Sequence, residues 1–161
     1  LYWYRQCETL LNRLLKQKRM MMGLSVNVDS WAEDPYLMVK IGSEKGRPGN
    51  SFTGLKIRLG ASEEVWRAEL GGELAWEGKI FPPSELVGWY TTLGGGFYGF
   101  YSFPEHDTYL DCGFYFTFGT GLRIYLGKTN HICLDMSSEY RYYPHGASAL
   151  AFGCNIGLPS H

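Results

Sequence analysis

Between Tyr109 and Leu126 the chain alternates almost without error. Leu110, Cys112, Phe114, Phe116, Phe118, Leu122, Ile124 and Leu126 take the even positions, with Thr120 the one polar exception. The odd positions hold Tyr109, Asp111, Gly113, Tyr115, Thr117, Gly119, Gly121, Arg123 and Tyr125. A period of two puts successive side chains on opposite faces of a strand. The next run keeps the rule. Ile132, Leu134, Met136, Tyr140 and Tyr142 share one face; His131, Asp135, Ser137, Glu139 and Arg141 share the other.

The same rhythm predicts eight strands from residue 20 onward. Strand 20–29 sets Met20, Met22, Leu24, Val26 and Val28 against Ser25, Asn27 and Asp29. Strand 35–43 sets Leu37, Val39 and Ile41 against Lys40. The segment Glu44 to Ser51 is dense in turn residues and predicts a connection. Strand 52–60 sets Leu55, Ile57 and Leu59 against Lys56 and Arg58. Strand 64–78 sets Trp66, Ala68, Leu70, Leu74 and Trp76 against Arg67, Glu69, Gly71, Glu73 and Glu77. Strand 86–103 carries Val87, Trp89, Leu93, Phe97 and Phe103 on its apolar face. After Pro144-His145-Gly146, the last strand sets Leu150, Phe152, Cys154, Ile156 and Leu158 against Ala147, Ala149, Ala151, Gly153, Asn155 and Gly157. Residues 6–19 break the rhythm. Leu10, Leu11, Leu14 and Leu15 form a helical stripe beside Arg13, Lys16, Lys18 and Arg19, which predicts a short basic amphipathic helix. The chain therefore divides into a helical segment, 1–19, and a barrel domain, 20–161.

Three features orient the faces. The non-greasy side of the last strand is nearly bare, which suits an interior where large residues project from the opposite wall. The polar faces hold Lys40, Lys56, Arg58, Arg67, Arg123 and Arg141 against Glu69, Glu73, Asp111, Asp135 and Glu139, a near-neutral set that a closed lumen can bury as pairs. Trp66 and Trp76 lie ten residues apart on one face. That is roughly 33 Å of strand. A tilt of about 40° lowers it to roughly 25 Å, the apolar band between the aromatic girdles of membrane barrels. Trp89, Tyr140 and Tyr142 join these tryptophans as candidate girdle residues. The expectation is an all-β, eight-stranded antiparallel up-and-down transmembrane barrel, greasy outside and charged inside, after an N-terminal helix. At eight strands the lumen is just wide enough for side chains to fill, so no open channel is expected.

Composition agrees. The 21 glycines and 16% aromatics among 161 residues suit a crowded barrel interior. A net charge of −1 provides no electrostatic footprint for nucleic acid. No apolar stretch approaches the roughly 18 residues of a membrane helix. No secretory signal is visible and the chain starts at Leu1, so it reads as a mature chain or part of one. Cys7, Cys112, Cys133 and Cys154 have no zinc-ligand spacing. Cys133 and Cys154 fall on consecutive strands, which leaves a bridge and two free thiols both open.

On strand number, alternation and glycine-rich inward faces, residues 20–158 resemble the small eight-stranded outer-membrane barrels of bacteria, the OmpA and OmpX types. The resemblance implies a bacterial outer-membrane location and a structural, adhesive or accessory role, with short loops weighing against adhesion. The expected partners are outer-membrane lipid and, through the N-terminal helix, other envelope subunits. One departure is the chain's end, Gly157-Leu158-Pro159-Ser160-His161, where such barrels commonly carry a terminal aromatic; the nearest here is Phe152.

Chemistry is sparse. His131, Ser137 and Glu139 share a face, but His131 and Ser137 are about 20 Å apart on one strand and cannot meet. His131, Cys133 and Asp135 are spaced at about 6.6 Å, too far to share one ion. Gly94-Gly95-Gly96 lacks the strand–loop–helix setting of a phosphate loop and reads as close packing in the wall. No catalytic residue, metal or cofactor is expected. Two alternatives stay open: a soluble lipocalin-like barrel around an apolar ligand, and a lipid-modifying outer-membrane enzyme.

Overall fold

The computed structural model describes residues 17–30, 32, 34–47, 49–63, 65–79, 87–102, 109–126 and 132–160. They form eight strands: β1 (Gln17–Asp29), β2 (Tyr36–Gly46), β3 (Ser51–Ala61), β4 (Val65–Lys79), β5 (Val87–Ser102), β6 (Tyr109–Leu126), β7 (Ile132–Tyr143) and β8 (Ala147–Pro159). Each strand pairs antiparallel with the next, and β8 returns to β1, so the sheet closes as an up-and-down barrel. Closure leaves no strand edge unpaired. The β1–β2, β3–β4, β5–β6 and β7–β8 connections lie at one mouth, called here the β1–β2 mouth. The other connections lie at the opposite, β2–β3 mouth.

The strand boundaries bring two corrections. β1 starts at Gln17, so Lys18 and Arg19 belong to a strand and not to the expected helix. Pairing with β2 and β8 carries the alternation back through them: Arg19 stands opposite Glu44 and Pro159. The rest of the predicted helix, 6–16, lies outside the described residues. Glu44, Lys45 and Gly46, read as turn, extend β2, and the connection shrinks to residues 47–50. Phe103, placed on the fifth strand, lies outside the described residues. The two cysteines of consecutive strands face opposite ways. Cys133 is buried in the lumen, Cys154 is exposed on the outer face, and both are free thiols.

The bare inner face of β8 has a packing reason. Ala147 and Ala149 meet Val65, Tyr98, Phe100, Tyr115 and Tyr143, which together fill the lumen towards the β1–β2 mouth. Tyr98 and Tyr143 pack edge to face, ring centroids 5.0 Å apart. Small residues on one wall admit the tyrosines of the others.

The glycine run of β5 lies against glycines of β4: Gly96 faces Gly71 and Gly95 faces Gly72. A Cβ on Gly96 would lie 2.1 Å from the Leu70 carbonyl oxygen and 2.5 Å from the Gly71 Cα. Those are backbone atoms and cannot swing aside, so this stretch of wall requires glycine. Gly99, three residues on, has open space around the same position. Gly96→Ala is expected to destabilise the detergent-folded barrel by about 1–3 kcal/mol. Gly99→Ala should stay within about 0.5 kcal/mol of the parent. Urea unfolding in micelles measures both.

Candidate functional site

Two surfaces carry whatever this barrel does: its outer belt and its lumen. The outer belt is apolar all round. Leu24, Val26, Leu37, Ile57, Leu70, Leu93, Phe97, Phe116, Phe118, Leu134 and Phe152 are all exposed, and Leu110 and Leu55 reach 71% and 64%. Water would solvate such a surface poorly, whereas hydrocarbon matches it. The five candidate girdle residues all point outward. Trp66, Tyr140 and Tyr142 stand near the β1–β2 mouth, Trp76 and Trp89 near the β2–β3 mouth. Thr120, the polar exception, is satisfied within the wall. Its hydroxyl accepts from the Trp89 indole N–H at 3.0 Å and donates to the Tyr90 carbonyl at 3.0 Å. Lipid offers a hydroxyl neither bond, so the protein must supply both.

The lumen is the reverse. Among the described residues, seven cations (Arg19, Lys40, Lys56, Arg58, Arg67, Arg123, Arg141) and seven anions (Asp29, Glu44, Glu69, Glu73, Glu77, Asp135, Glu139) are buried there. Glu139 of β7 is the hub of one group. Its carboxylate meets Arg58 at 2.7 Å, Lys40 at 3.3 Å, Arg141 at 3.5 Å and Lys56 at 4.0 Å. Lys56 also pairs with Glu73. Glu69 of β4 accepts from the Tyr143 hydroxyl at 2.7 Å and forms ion pairs with Arg67 at 2.9 Å and Arg141 at 3.6 Å. Arg67 reaches on to Asp29 at 2.7 Å, and Tyr36 donates to the same carboxylate. These contacts tie β2, β3 and β4 to β7 across the lumen.

The second group lies towards the β2–β3 mouth. Arg123 grips Asp135 with Nε and Nη2 at 2.8 and 3.0 Å, and its Nη2 also reaches Glu44 at 3.0 Å. Arg19 meets the other Glu44 oxygen at 3.0 Å and stacks on Phe52, 4.5 Å from the ring centroid. Tyr125 donates to Glu77. A forked guanidinium or a carboxylate can meet several partners at once, as Arg123 and Glu139 do here.

Of the sequence-predicted interior residues, Lys40, Lys56, Arg58, Arg67, Glu69, Glu73, Arg123, Asp135, Glu139 and Arg141 are all buried in this network. Asp111 differs. It is half-buried near the β1–β2 mouth and accepts a hydrogen bond from the Tyr98 hydroxyl at 2.8 Å; no arginine or lysine reaches it among the described residues. Four network members escaped the sequence reading: Arg19, Asp29, Glu44 and Glu77. Asp29 and Glu77 already stood on the polar faces of their strands, so the alternation marked them. Arg19 and Glu44 needed the alternation carried past a leucine stripe and into a turn-like segment.

No protein-family model matches the sequence, and no curated protein matches it. Solved structures do. Neisserial surface protein A superposes with a TM-score of 0.69 at 9% identity, over 90% of this chain and 97% of that one. Ail, the attachment invasion locus protein of Yersinia pestis, crystallised with the heparin analogue sucrose octasulfate, has a TM-score of 0.64 at 10% identity, over 91% and 100%. The N-terminal β-barrel domain of Pseudomonas aeruginosa OprF has 0.62 at 11%, over 88% and 100%. This chain has the fold of the small eight-stranded outer-membrane barrels.

An outer-membrane-type barrel keeps its apolar residues on the outside, and this one does. The lipocalin-like alternative needs an apolar lumen, and the lumen here holds the ion network instead. Ser137 is half-buried beside the Glu139 strand position, but Glu139 is committed to four cations. His131 lies outside the described residues. Among the described residues no cluster of three His, Cys, Asp or Glu side chains is arranged to hold a metal ion.

The hub predicts its own test. Glu139→Ala takes from four buried cations an anion that they share, leaving Lys56 to Glu73 and Arg58 and Arg141 to Glu69, and should cost about 3–5 kcal/mol. Asp111→Ala removes one half-buried acceptor and should cost about 1 kcal/mol. Urea titration of the folded barrel in micelles distinguishes them; equal costs would show that the hub carries no special weight.

Proposed function

We propose that this chain is a bacterial outer-membrane β-barrel protein with a structural or accessory role in an envelope assembly, and that it is not an enzyme. One observation carries the reading: a continuous apolar outer belt around a lumen whose charges neutralise one another. That pairing of surfaces is stable in a bilayer and unfavourable in water. The belt's partner is outer-membrane lipid. The lumen is filled by tyrosines towards one mouth and by Phe52, Tyr125 and Arg19 towards the other, so the reading includes no conducting pore. The leucine stripe of residues 10–15 precedes β1 and is assigned to contacts with other envelope subunits.

The test is gel mobility of the detergent-folded chain in SDS, with and without boiling. A heat-dependent shift and extraction by detergent alone are expected. Full solubility without detergent and no shift would overturn the reading. Leu70 sits on β4 between Trp66 and Trp76, facing outward. Leu70→Arg should abolish or slow insertion into vesicles, because a cation on the lipid face at mid-depth costs about 2–4 kcal/mol. Leu70→Ala should insert normally.

A further inference from the structure

The outward charges of the strands are as uneven as the lumen is balanced. Among strand residues whose side chains are described, Lys18 and Lys45 are the two charged residues on the outer face. They are not scattered. Lys18 of β1 stands directly opposite Lys45 of β2. Like charges placed opposite each other across an antiparallel pair repel and destabilise the sheet. Among the described residues neither lysine forms an ion pair, because the nearby Glu44 carboxylate is turned into the lumen and held by Arg19 and Arg123.

The surroundings fit an anion. Thr53 of β3 faces Lys45, and Ser43 precedes it by one outward step. Lys18, Ser43, Lys45, Thr53 and Ser160 line an outer hollow of about 520 Å³. Lys45 and Thr53 also border a second hollow of about 390 Å³, with Arg47, Asn50 and Ser51. The Arg47 Nε is buried there without a hydrogen-bond partner. Three cations and several hydroxyls thus converge on one stretch of surface.

Its height is set by the register. Ser51 pairs with Trp76, Lys45 with Thr53 and Lys18 with Lys45. The patch therefore continues, around β3, β2 and β1, the same girdle that Trp76 and Trp89 form on β4 and β5. The first outward residues on its bilayer side are Met20, Ile41 and Leu55. A cationic arc at girdle height faces the level of the lipid headgroups.

We infer that Lys18, Lys45 and Arg47 form a binding site for the headgroup phosphate of an anionic membrane lipid, whose charge relieves the Lys18–Lys45 repulsion. Ser43, Thr53 and Ser51 offer hydroxyl donors to the same phosphate, and the acyl chains lie along the adjoining apolar wall. The inference rests on the membrane-barrel reading above.

The experiment uses the full chain, folded in detergent and then equilibrated with equal amounts of phosphatidylglycerol and phosphatidylcholine. Native mass spectrometry counts the lipids retained. The parent is expected to prefer phosphatidylglycerol, with a gain of roughly fivefold for each lysine. Lys18→Gln with Lys45→Gln should abolish that preference and keep the heat-dependent gel shift. Lys18→Arg with Lys45→Arg should retain both, and rising salt should weaken the parent's preference. Equal retention of the two lipids by the parent overturns the site, as does an undiminished preference in the glutamine variant. Displacement of the lipid by millimolar inorganic phosphate also overturns it, by showing a free-anion site. Loss of the gel shift in the parent would instead remove the membrane-barrel reading itself.

Discussion

A carboxylate or guanidinium taken out of water loses several kcal/mol of hydration, and only close opposite charges and hydrogen bonds offset the loss. Among the described residues, seven buried cations and seven buried anions share the lumen of this barrel. The near-balance matters more than any single pair, because a buried charge without a counterpart would keep the whole cost of its lost hydration. Five of the seven cations are arginines, whose planar forks can hold more than one acceptor at a time. Arg67 touches Asp29 and Glu69, and Arg123 touches Asp135 and Glu44. The wall is shaped around this network. Gly71 leaves room for the Tyr115 hydroxyl, and that hydroxyl accepts a hydrogen bond from Arg58 at 3.1 Å.

The network also explains how a thin sheet holds its shape. Backbone pairing joins only neighbouring strands, and it allows a cylinder to flatten. Contacts through the lumen resist that. Glu139 on β7 reaches Lys40 on β2 and Arg58 on β3, while Tyr143 on β7 reaches Glu69 on β4. These are bonds between opposite walls, so they act as struts. Outside, the belt needs no such contacts because lipid supplies dispersion contacts everywhere and hydrogen bonds nowhere. Thr120 and Trp89 show the rule by satisfying each other.

Much of this was legible before any coordinates. Period-two alternation marks strands and separates two faces, and the Trp66–Trp76 spacing sets the height of the belt. What alternation cannot supply is the partner of each charge. Which inward residues meet across the lumen depends on how far the sheet shears on closing, a property of all eight strands together. Local composition also competes with long-range pairing. Glu44 reads as a turn residue beside Lys45-Gly46-Arg47-Pro48-Gly49, yet pairing with β1 and β3 keeps it in a strand. Arg19 follows a leucine stripe and reads as helical, yet pairing with Glu44 and Pro159 extends the sheet to it. In both cases a ladder of distant hydrogen bonds prevails over a local preference.

Those two corrected segments meet at one place, and the meeting shows how a membrane barrel sorts charge. Lys18-Arg19 on β1 lies beside Glu44-Lys45 on β2. The pleat sends Arg19 and Glu44 inward, where they form an ion pair at 3.0 Å. It sends Lys18 and Lys45 outward, where two like charges face each other. A one-residue slip turns over the faces of the strand that slips: in β1 it would exchange Arg19 for Lys18 in the lumen, and in β2 Glu44 for Lys45. The slip of β2 would take from the lumen the Glu44 carboxylate that Arg19 and Arg123 share, and put one lysine ammonium in its place. The inner balance therefore holds Lys45 at the surface, and Lys18, paired directly opposite, shares that face. Only their height keeps them out of hydrocarbon, where each would be costly. At the girdle the same charges are tolerable, because water and phosphate lie within reach of a long, flexible lysine stem.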